Sequence, residues 1–175
     1  LSQSHVFNGR YSLSRLITVS AKGSFGNKIY LSEFFGNRSY DYDYFEIQPV
    51  VQLVIGTSHR IDIKSKIFDA LNANLYGGEK SRNIEFGGEY RYAKATKGAL
   101  NLGMNFINVD YEGASNSTLG YELLRGLQNG ANVTWKLNYQ QTMSNNIQIT
   151  VSYDGRSSET SDVIHIGRVV ARYLF

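Results

Sequence analysis

The sequence predicts an all-β protein, an antiparallel up-and-down transmembrane β-barrel that occupies residues 1–175 as a single domain. Apolar and polar residues alternate along most of the chain. The alternating runs are longer than the strands of soluble proteins, and the segments between them are alternately short and long. A composition of 13 Tyr, 17 Gly, 1 Pro and 0 Cys also favours strands over helices.

The clearest alternation lies near the C-terminus. Ile147, Ile149, Val151 and Tyr153 are separated by single polar residues. This period of two fits a strand and does not fit a helix. The run 130–142 repeats the pattern, and "MSNN" between the two runs predicts a tight hairpin turn.

The same pattern predicts nine strands. They cover roughly residues 5–14, 16–30, 43–55, 59–71, 82–94, 98–111, 130–142, 146–156 and 163–175. Most have about ten residues or more, the length that a tilted strand needs to cross a bilayer. In the run 98–111 the apolar parity changes at Ile107, which predicts a β-bulge.

Short and long connections alternate along the chain. Short turns are predicted near 14–15, 56–59, 94–97 and 144–145, and longer segments near 27–42, 72–82, 112–130 and 156–162. Short turns on one side and long loops on the other are typical of outer-membrane barrels. In the longest loop, "YELLRGLQ" resembles a helix because Tyr121, Leu124 and Leu127 share a face. We expect it to pack at the rim; the alternatives are that it enters the lumen or meets a partner.

The polar face of such a barrel lines the lumen, where charges of both signs can pair. The charges that we expect in the lumen are Glu85, Glu89, Arg91, Lys136, Asp154, Arg168 and Arg172. The apolar face would contact lipid, with aromatic residues near the strand ends at the membrane interfaces. A soluble sandwich or lipocalin-like barrel, with the apolar face as its core, is the alternative.

The chain ends in "RVVARYLF". Phe175, Tyr173, Ala171 and Val169 resemble the β-signal of Gram-negative outer-membrane proteins, although Ala171 is small for its place. The last third of the chain, "GYELLRGLQNGANVTWKLNYQQTMSNNIQITVSYDGR" followed by "VIHIGRVVARYLF", resembles the ends of large, mostly uncharacterised barrel proteins of Bacteroidota. This resemblance implies the cell outer membrane of a Gram-negative bacterium, contact with its lipid and lipopolysaccharide, and insertion by the barrel-assembly machinery.

The predicted strand number raises a topological problem. If the last strand ends in the periplasm, the strand at 5–14 begins outside the cell, whereas complete bacterial barrels have an even strand number. Either the chain is the C-terminal part of a larger barrel whose earlier strands are missing or lie on another chain, or 1–14 is a non-strand leader before a complete eight-stranded barrel. The alternation of Phe7, Tyr11 and Leu13 favours the larger barrel.

These observations predict a porin-like scaffold or conduit in an outer-membrane assembly or transport complex, in which other outer-membrane subunits are possible partners. A self-contained eight-stranded structural or lipid-binding barrel is the alternative. A second alternative is an outer-membrane hydrolase that uses His165 with a loop serine such as Ser157 or Ser158.

Other functions have little support in the sequence, and we expect no enzyme activity. No metal or cofactor is expected because the chain lacks paired-ligand spacing. No basic cluster indicates nucleic-acid binding, and no apolar run is long enough for a transmembrane helix. In "YDYDYFE", residues 40–46, we expect tyrosines at lipid headgroups and aspartates in water.

Overall fold

The computed structural model describes residues 1–35, 38–94, 98–143, 146–159 and 161–173. Within these residues the chain forms nine strands, a short α-helix and a 3₁₀-helix at Asn74–Tyr76. The elements are β1 (Ser2–Ser12), β2 (Ile17–Tyr30), β3 (Tyr40–Ile55), β4 (His59–Asn72), β5 (Lys80–Lys94), β6 (Gly98–Glu112), α1 (Thr118–Leu124), β7 (Gly130–Met143), β8 (Ile147–Ser158) and β9 (Ser161–Tyr173).

The strands form one antiparallel sheet in which each strand pairs with the next along the chain, in the order β1 to β9. This confirms the predicted all-β, up-and-down arrangement, and the described strand boundaries agree with the predicted ones to within three residues. Across the described ranges, no pairing joins β1 to β9, so the sheet is not closed. The turns predicted at 94–97 and 144–145 lie wholly or largely outside the described residues.

The predicted bulge at Ile107 is wrong. Ile107 faces Glu85 on one side and Asn132 on the other, and both registers continue through it without a shift. The parity change therefore has another cause, which is the position of α1.

Two other expectations also fail. The predicted long connection at 156–162 is short, because β8 and β9 pair as far as Ser158 and Ser161, with a register shift near Arg156. Residues 1–14 are not a non-strand leader, because β1 pairs with β2 from Ser2, opposite Lys28, to Ser12, opposite Thr18.

The connections 31–39, 73–79 and 113–129 lie at one end of the sheet, the loop end, and the connections 13–16 and 56–58 lie at the other, the turn end. Helix α1 folds back onto one face of the sheet, which we call the α1 face. The registers place on it the even-numbered residues of β1 to β4 and β7, and the odd-numbered residues of β5 and β6. The even-numbered residues of β8 and, from Ile164 onwards, of β9 share it. We call the opposite face the apolar face.

Candidate functional site on the α1 face

The loop end of the α1 face is covered by α1. The helix begins after Ser117, whose Oγ accepts a hydrogen bond from the Gly120 amide at 2.9 Å, and ends at Arg125 in the left-handed conformation. Its apolar side packs on tyrosine, phenylalanine and valine side chains of β3, β4 and β6. The buried cluster consists of Leu119, Leu123 and Leu124 with Tyr40, Tyr42, Phe68, Ala70, Val109 and Tyr111.

Polar contacts attach the helix segment to distant strands. Lys28 Nζ lies 2.6 Å from Glu122 Oε1, which joins β2 to α1. The Arg125 guanidinium lies 5.2 Å from the centre of the Phe68 ring, and Arg156 Nη1 donates to the Gly126 carbonyl at 3.2 Å. The segment 113–129 is thus held to β2, β4 and β8.

Two of the ionisable groups with shifted pKa values at this covered end contact Glu122. Burial raises the pKa of the Tyr42 hydroxyl, and the hydrogen bond with Glu122 raises the pKa of Lys28. At neutral pH the tyrosine is therefore a neutral phenol and the lysine is charged. Both states suit the contact of these groups with the Glu122 carboxylate.

The position of α1 explains the parity changes. On the α1 face, the residues of β3 are apolar from Tyr40 to Tyr44, those of β4 become apolar at Phe68, and those of β6 become apolar at Ile107. At this end of the three strands the helix excludes water. For "YDYDYFE" the expectation that the tyrosines lie at lipid headgroups is wrong for Tyr40 and Tyr42. Tyr40 and Tyr42 are buried under α1, and Asp41 and Asp43 lie on the apolar face, where both accept hydrogen bonds from Asn27.

Nearer the turn end, the α1 face is charged. Asp62 and Glu89 lie directly opposite each other on β4 and β5, and both are 6% exposed. Two carboxylates in this arrangement repel each other. Each therefore needs cationic or hydrogen-bonding neighbours to remain ionised and buried.

Four cations and an amide supply these contacts. Glu89 accepts from Arg91 Nε at 2.7 Å and lies 3.6 Å from Lys64 Nζ and 3.4 Å from Lys136 Nζ. Asp62 contacts Arg60 Nε at 3.0 Å and accepts from Gln52 Nε2 at 2.9 Å. Arg91 Nη2 also lies 3.9 Å from Asp62, so this guanidinium bridges the two carboxylates.

Lys136 reaches Glu89 across an intervening strand. The registers align Glu89, Gly103 and Lys136 on β5, β6 and β7. A Cβ atom at Gly103 would lie 2.7 Å from Lys136 Cε. The absence of a side chain at this position therefore gives the lysine stem its path to the carboxylate.

The two carboxylates belong to a row of facing residues that lies between two cationic rows. The row towards the turn end contains Arg60, Arg91 and Arg168. The row towards the loop end contains Arg10, Lys64 and Arg156. Cations thus flank the carboxylates on both sides, and they outnumber them.

The charges expected in the lumen all lie on the α1 face: Glu85, Glu89, Arg91, Lys136, Asp154, Arg168 and Arg172. The structure brings together Glu89, Arg91 and Lys136, whereas Arg168 and Arg172 lie apart on β9 opposite Ser152 and Gln148. Asp62 and Lys64 are not among the charges selected from the sequence, although both lie in this network. Their alternation with Ile61 and Ile63 is the signal that places them on the same face.

Of the residues that resemble the β-signal, Val169, Ala171 and Tyr173 share the apolar face of β9, where they pair with β8 residues Val151, Ile149 and Ile147. Phe175 lies outside the described residues. Val170, on the α1 face of β9, is opposite Thr150, and Leu174 is likewise outside the described part of the chain.

The apolar face carries a band without charged residues. On β3 the band runs from Phe45 to Ile55, and on β5 from Ile84 to Tyr92. Within the described strands, the charges on this face lie beyond the band, at the loop end except for Lys94 at the turn end. They are Asp41, Asp43, Asp69, Lys80, Arg82, Lys94, Asp110 and Glu112.

His165 lies on the apolar face of β9 in an aromatic cluster. Its Nδ1 is 2.7 Å from the Tyr153 hydroxyl, and its ring centre is 5.7 Å from that of Trp135. The Trp135 indole covers Gly155, where it contacts the position that a Cβ atom would occupy. Within the part of the chain that the structure describes, His165 forms no hydrogen bond with Ser157 or Ser158, so the Ser–His contact of the hydrolase hypothesis is not formed.

Among the described residues, no group of three or more His, Asp or Glu side chains is arranged to hold a metal ion. None of the described helices has the length and apolar character needed to cross a membrane. No protein-family model, curated protein or solved structure matches this chain.

Proposed function

We propose that the chain forms part of the wall of an outer-membrane β-barrel and serves as a scaffold or conduit in an outer-membrane assembly or transport complex. The observation that carries the proposal is the inverted polarity of the two faces. Along the middle of the strands the apolar face has no charges and the α1 face is charged; at the loop end the apolar face is charged and the α1 face is apolar.

This inversion suits a wall that crosses a bilayer and continues into water. Phe45 to Ile55 spans about 33 Å along β3 at about 3.3 Å per residue, or about 23 Å in height for a strand tilted by about 45°. The apolar band of outer-membrane barrels is about 25 Å tall. Beyond that height the outward side chains contact water and become polar, and the inward side chains can form an ordinary apolar core.

The two edges of the sheet favour a wall with more strands. With nine antiparallel strands, β1 and β9 run in the same direction, so the regular alternation cannot continue across a junction between them. Additional strands from the same barrel or from another subunit would restore it. The lipid and lipopolysaccharide contacts, the assembly machinery and the Gram-negative outer membrane are part of this proposal.

A matched pair of cysteine variants tests the proposal, and the chain contains no cysteine that would interfere. Val50 and Val51 are adjacent on β3 and lie on opposite faces. Each is changed to Cys in the full-length protein, labelled with an environment-sensitive fluorophore and reconstituted into vesicles. We expect lipid-borne spin labels to quench the Val51→Cys label and aqueous iodide to quench the Val50→Cys label.

Two results would contradict this proposal. Iodide quenching of both labels would show that neither face contacts lipid. A blue-shifted Val51→Cys label that lipid-borne quenchers do not reach would indicate a soluble sandwich with this face in its core. Scaffold and conduit are then separated by single-channel recordings, because only a conduit conducts ions.

A further inference from the structure

We propose that the charged part of the α1 face is an anion-binding surface, which gives the conduit a preference for solutes that carry carboxylate or phosphate groups. The inference rests on the proposed function and names the solute class. Its basis is that Asp62 and Glu89, the carboxylates at the centre of the charged part, are buried, whereas the cations around them are accessible. Asp154 is an exposed carboxylate on the same face, opposite Lys136, and the cations of the face outnumber it.

The shielding is visible in the exposed fractions of the side chains. The side chains of Asp62 and Glu89 are 8% and 6% exposed, whereas those of Arg60, Arg91 and Lys136 are 45%, 45% and 46% exposed. Glu46 is also engaged, at 2.9 Å from Lys66 Nζ. Asp62 and Glu89 thus lie at the base of the network, and the cationic groups of Arg60, Arg91 and Lys136 extend above them towards solvent.

Further cations have no carboxylate partner. Arg10 faces Ser20, Arg168 faces Ser152, and Arg172 faces Gln148. Among the described residues these three side chains form no ion pair. All three are exposed and lie on the same face as the carboxylate network.

Arginine is suited to the proposed ligands because its guanidinium donates two parallel hydrogen bonds to a carboxylate or phosphate. A polar surface with low-dielectric walls also concentrates the field of its charges. The arginine row with Arg60, Arg91 and Arg168, together with Arg172 nearer the turn end, therefore offers successive contacts to an anion that moves along the face.

The test measures ion selectivity of the full-length protein in planar bilayers under a KCl gradient. We expect the reversal potential to show a several-fold preference for chloride over potassium, and inorganic pyrophosphate to reduce the current. The double variant Arg168→Gln/Arg172→Gln should at least halve the preference. The control Lys80→Gln/Arg82→Gln removes the same charge from the other face and should preserve it.

The outcomes separate the inference from the proposed function. A conductance without anion preference, or a preference that the β9 double variant leaves intact, would overturn the inference and leave the conduit in place. Without any conductance the conduit fails. Calorimetric titration of the detergent-solubilised protein with pyrophosphate then decides: binding that weakens at least tenfold in the double variant supports the anion surface, and no binding overturns it.

Discussion

The two parts of the α1 face lie on neighbouring strands of one sheet and differ in their exposure to water. Under the helix, Leu123 and Tyr42 are 1% and 5% exposed and pack in an apolar cluster. Nearer the turn end, Arg91 and Lys136 remain nearly half exposed above buried carboxylates. The comparison shows that strand alternation decides which residues share a face, and that a covering element decides whether that face is apolar or charged.

The two parts also differ in what they contribute. The covered part excludes water and is stabilised by burial of apolar surface, which is the largest favourable contribution to folding. The charged part is stabilised less strongly, because its ion pairs are partly hydrated. Its cations remain accessible, and therefore we propose anion binding in the charged part and a stabilising role for the part under α1.

The largest expected effect is in the covered part. Leu123→Ala removes a side chain at the centre of the cluster and should destabilise the docked helix by about 2–5 kcal/mol. Limited proteolysis of the 113–129 segment in the intact protein measures this effect, because cleavage follows the population of the opened state. We expect cleavage to accelerate by about 30-fold or more, since each 1.4 kcal/mol is tenfold.

Tyr121→Ala is the matched control, because Tyr121 lies on the same helix and is 70% exposed. Its effect should stay within about 0.5 kcal/mol. Equal cleavage rates for the two variants would mean that α1 is not held by the cluster, and the comparison between the two parts would fail.

A smaller effect is expected in the charged part. Gly103→Ala places a methyl group against the Lys136 stem, which should displace the lysine from Glu89 and cost about 1 kcal/mol. Gly88→Ala is the control: it lies on the apolar face, and its Cβ atom would be 3.9 Å from the nearest heavy atom, the Asp62 carbonyl oxygen. Denaturant unfolding in detergent compares the two variants.

The lysine itself supplies a second check. In a Lys136→Met background the side chain at residue 136 still contacts the methyl group of Gly103→Ala, but the ion pair with Glu89 is already lost. Most of the difference in unfolding free energy between Gly103→Ala and Gly88→Ala should therefore disappear. A difference that persists unchanged would show that glycine is needed at residue 103 for the backbone and not to give space to the Lys136 side chain.

The smallest effect concerns the contact between β2 and the helix. The Lys28 and Glu122 side chains are 36% and 37% exposed, so a double-mutant cycle with Lys28→Met and Glu122→Gln should give a coupling energy of about 0.2–1 kcal/mol. The Arg82–Asp69 pair, longer at 3.5 Å and more exposed, is the reference and should couple less. A larger coupling for the reference pair would contradict the assignment of Lys28 to helix docking.

Strand positions could be predicted from the sequence because a period of two is a local property. The pattern also placed Glu89, Arg91 and Lys136 on one face, which the registers bear out. It could not show that Asp62 faces Glu89, because pairing partners depend on turn length as well as on alternation.

The covered part could not be predicted from the change at Ile107 alone, for a related reason. The change at Ile107 is a signal of a new environment, and β3 and β4 carry the same change near Tyr44 and Phe68. A bulge would affect one strand, whereas a covering helix affects neighbouring strands at the same level. Three changes taken together indicate the helix, and a single change does not.

The Trp135 indole lies on the apolar face over Gly155, and it is the chain's single tryptophan. Intrinsic emission excited at the red edge of the absorption band therefore comes from one known point on the sheet. If the sheet crosses a bilayer as proposed, quenching by brominated acyl chains should depend on the bromine position, and the strongest quenching would give the depth of Trp135 on β7. Trp135 is thus an intrinsic fluorescent probe of depth that requires neither a label nor a substitution.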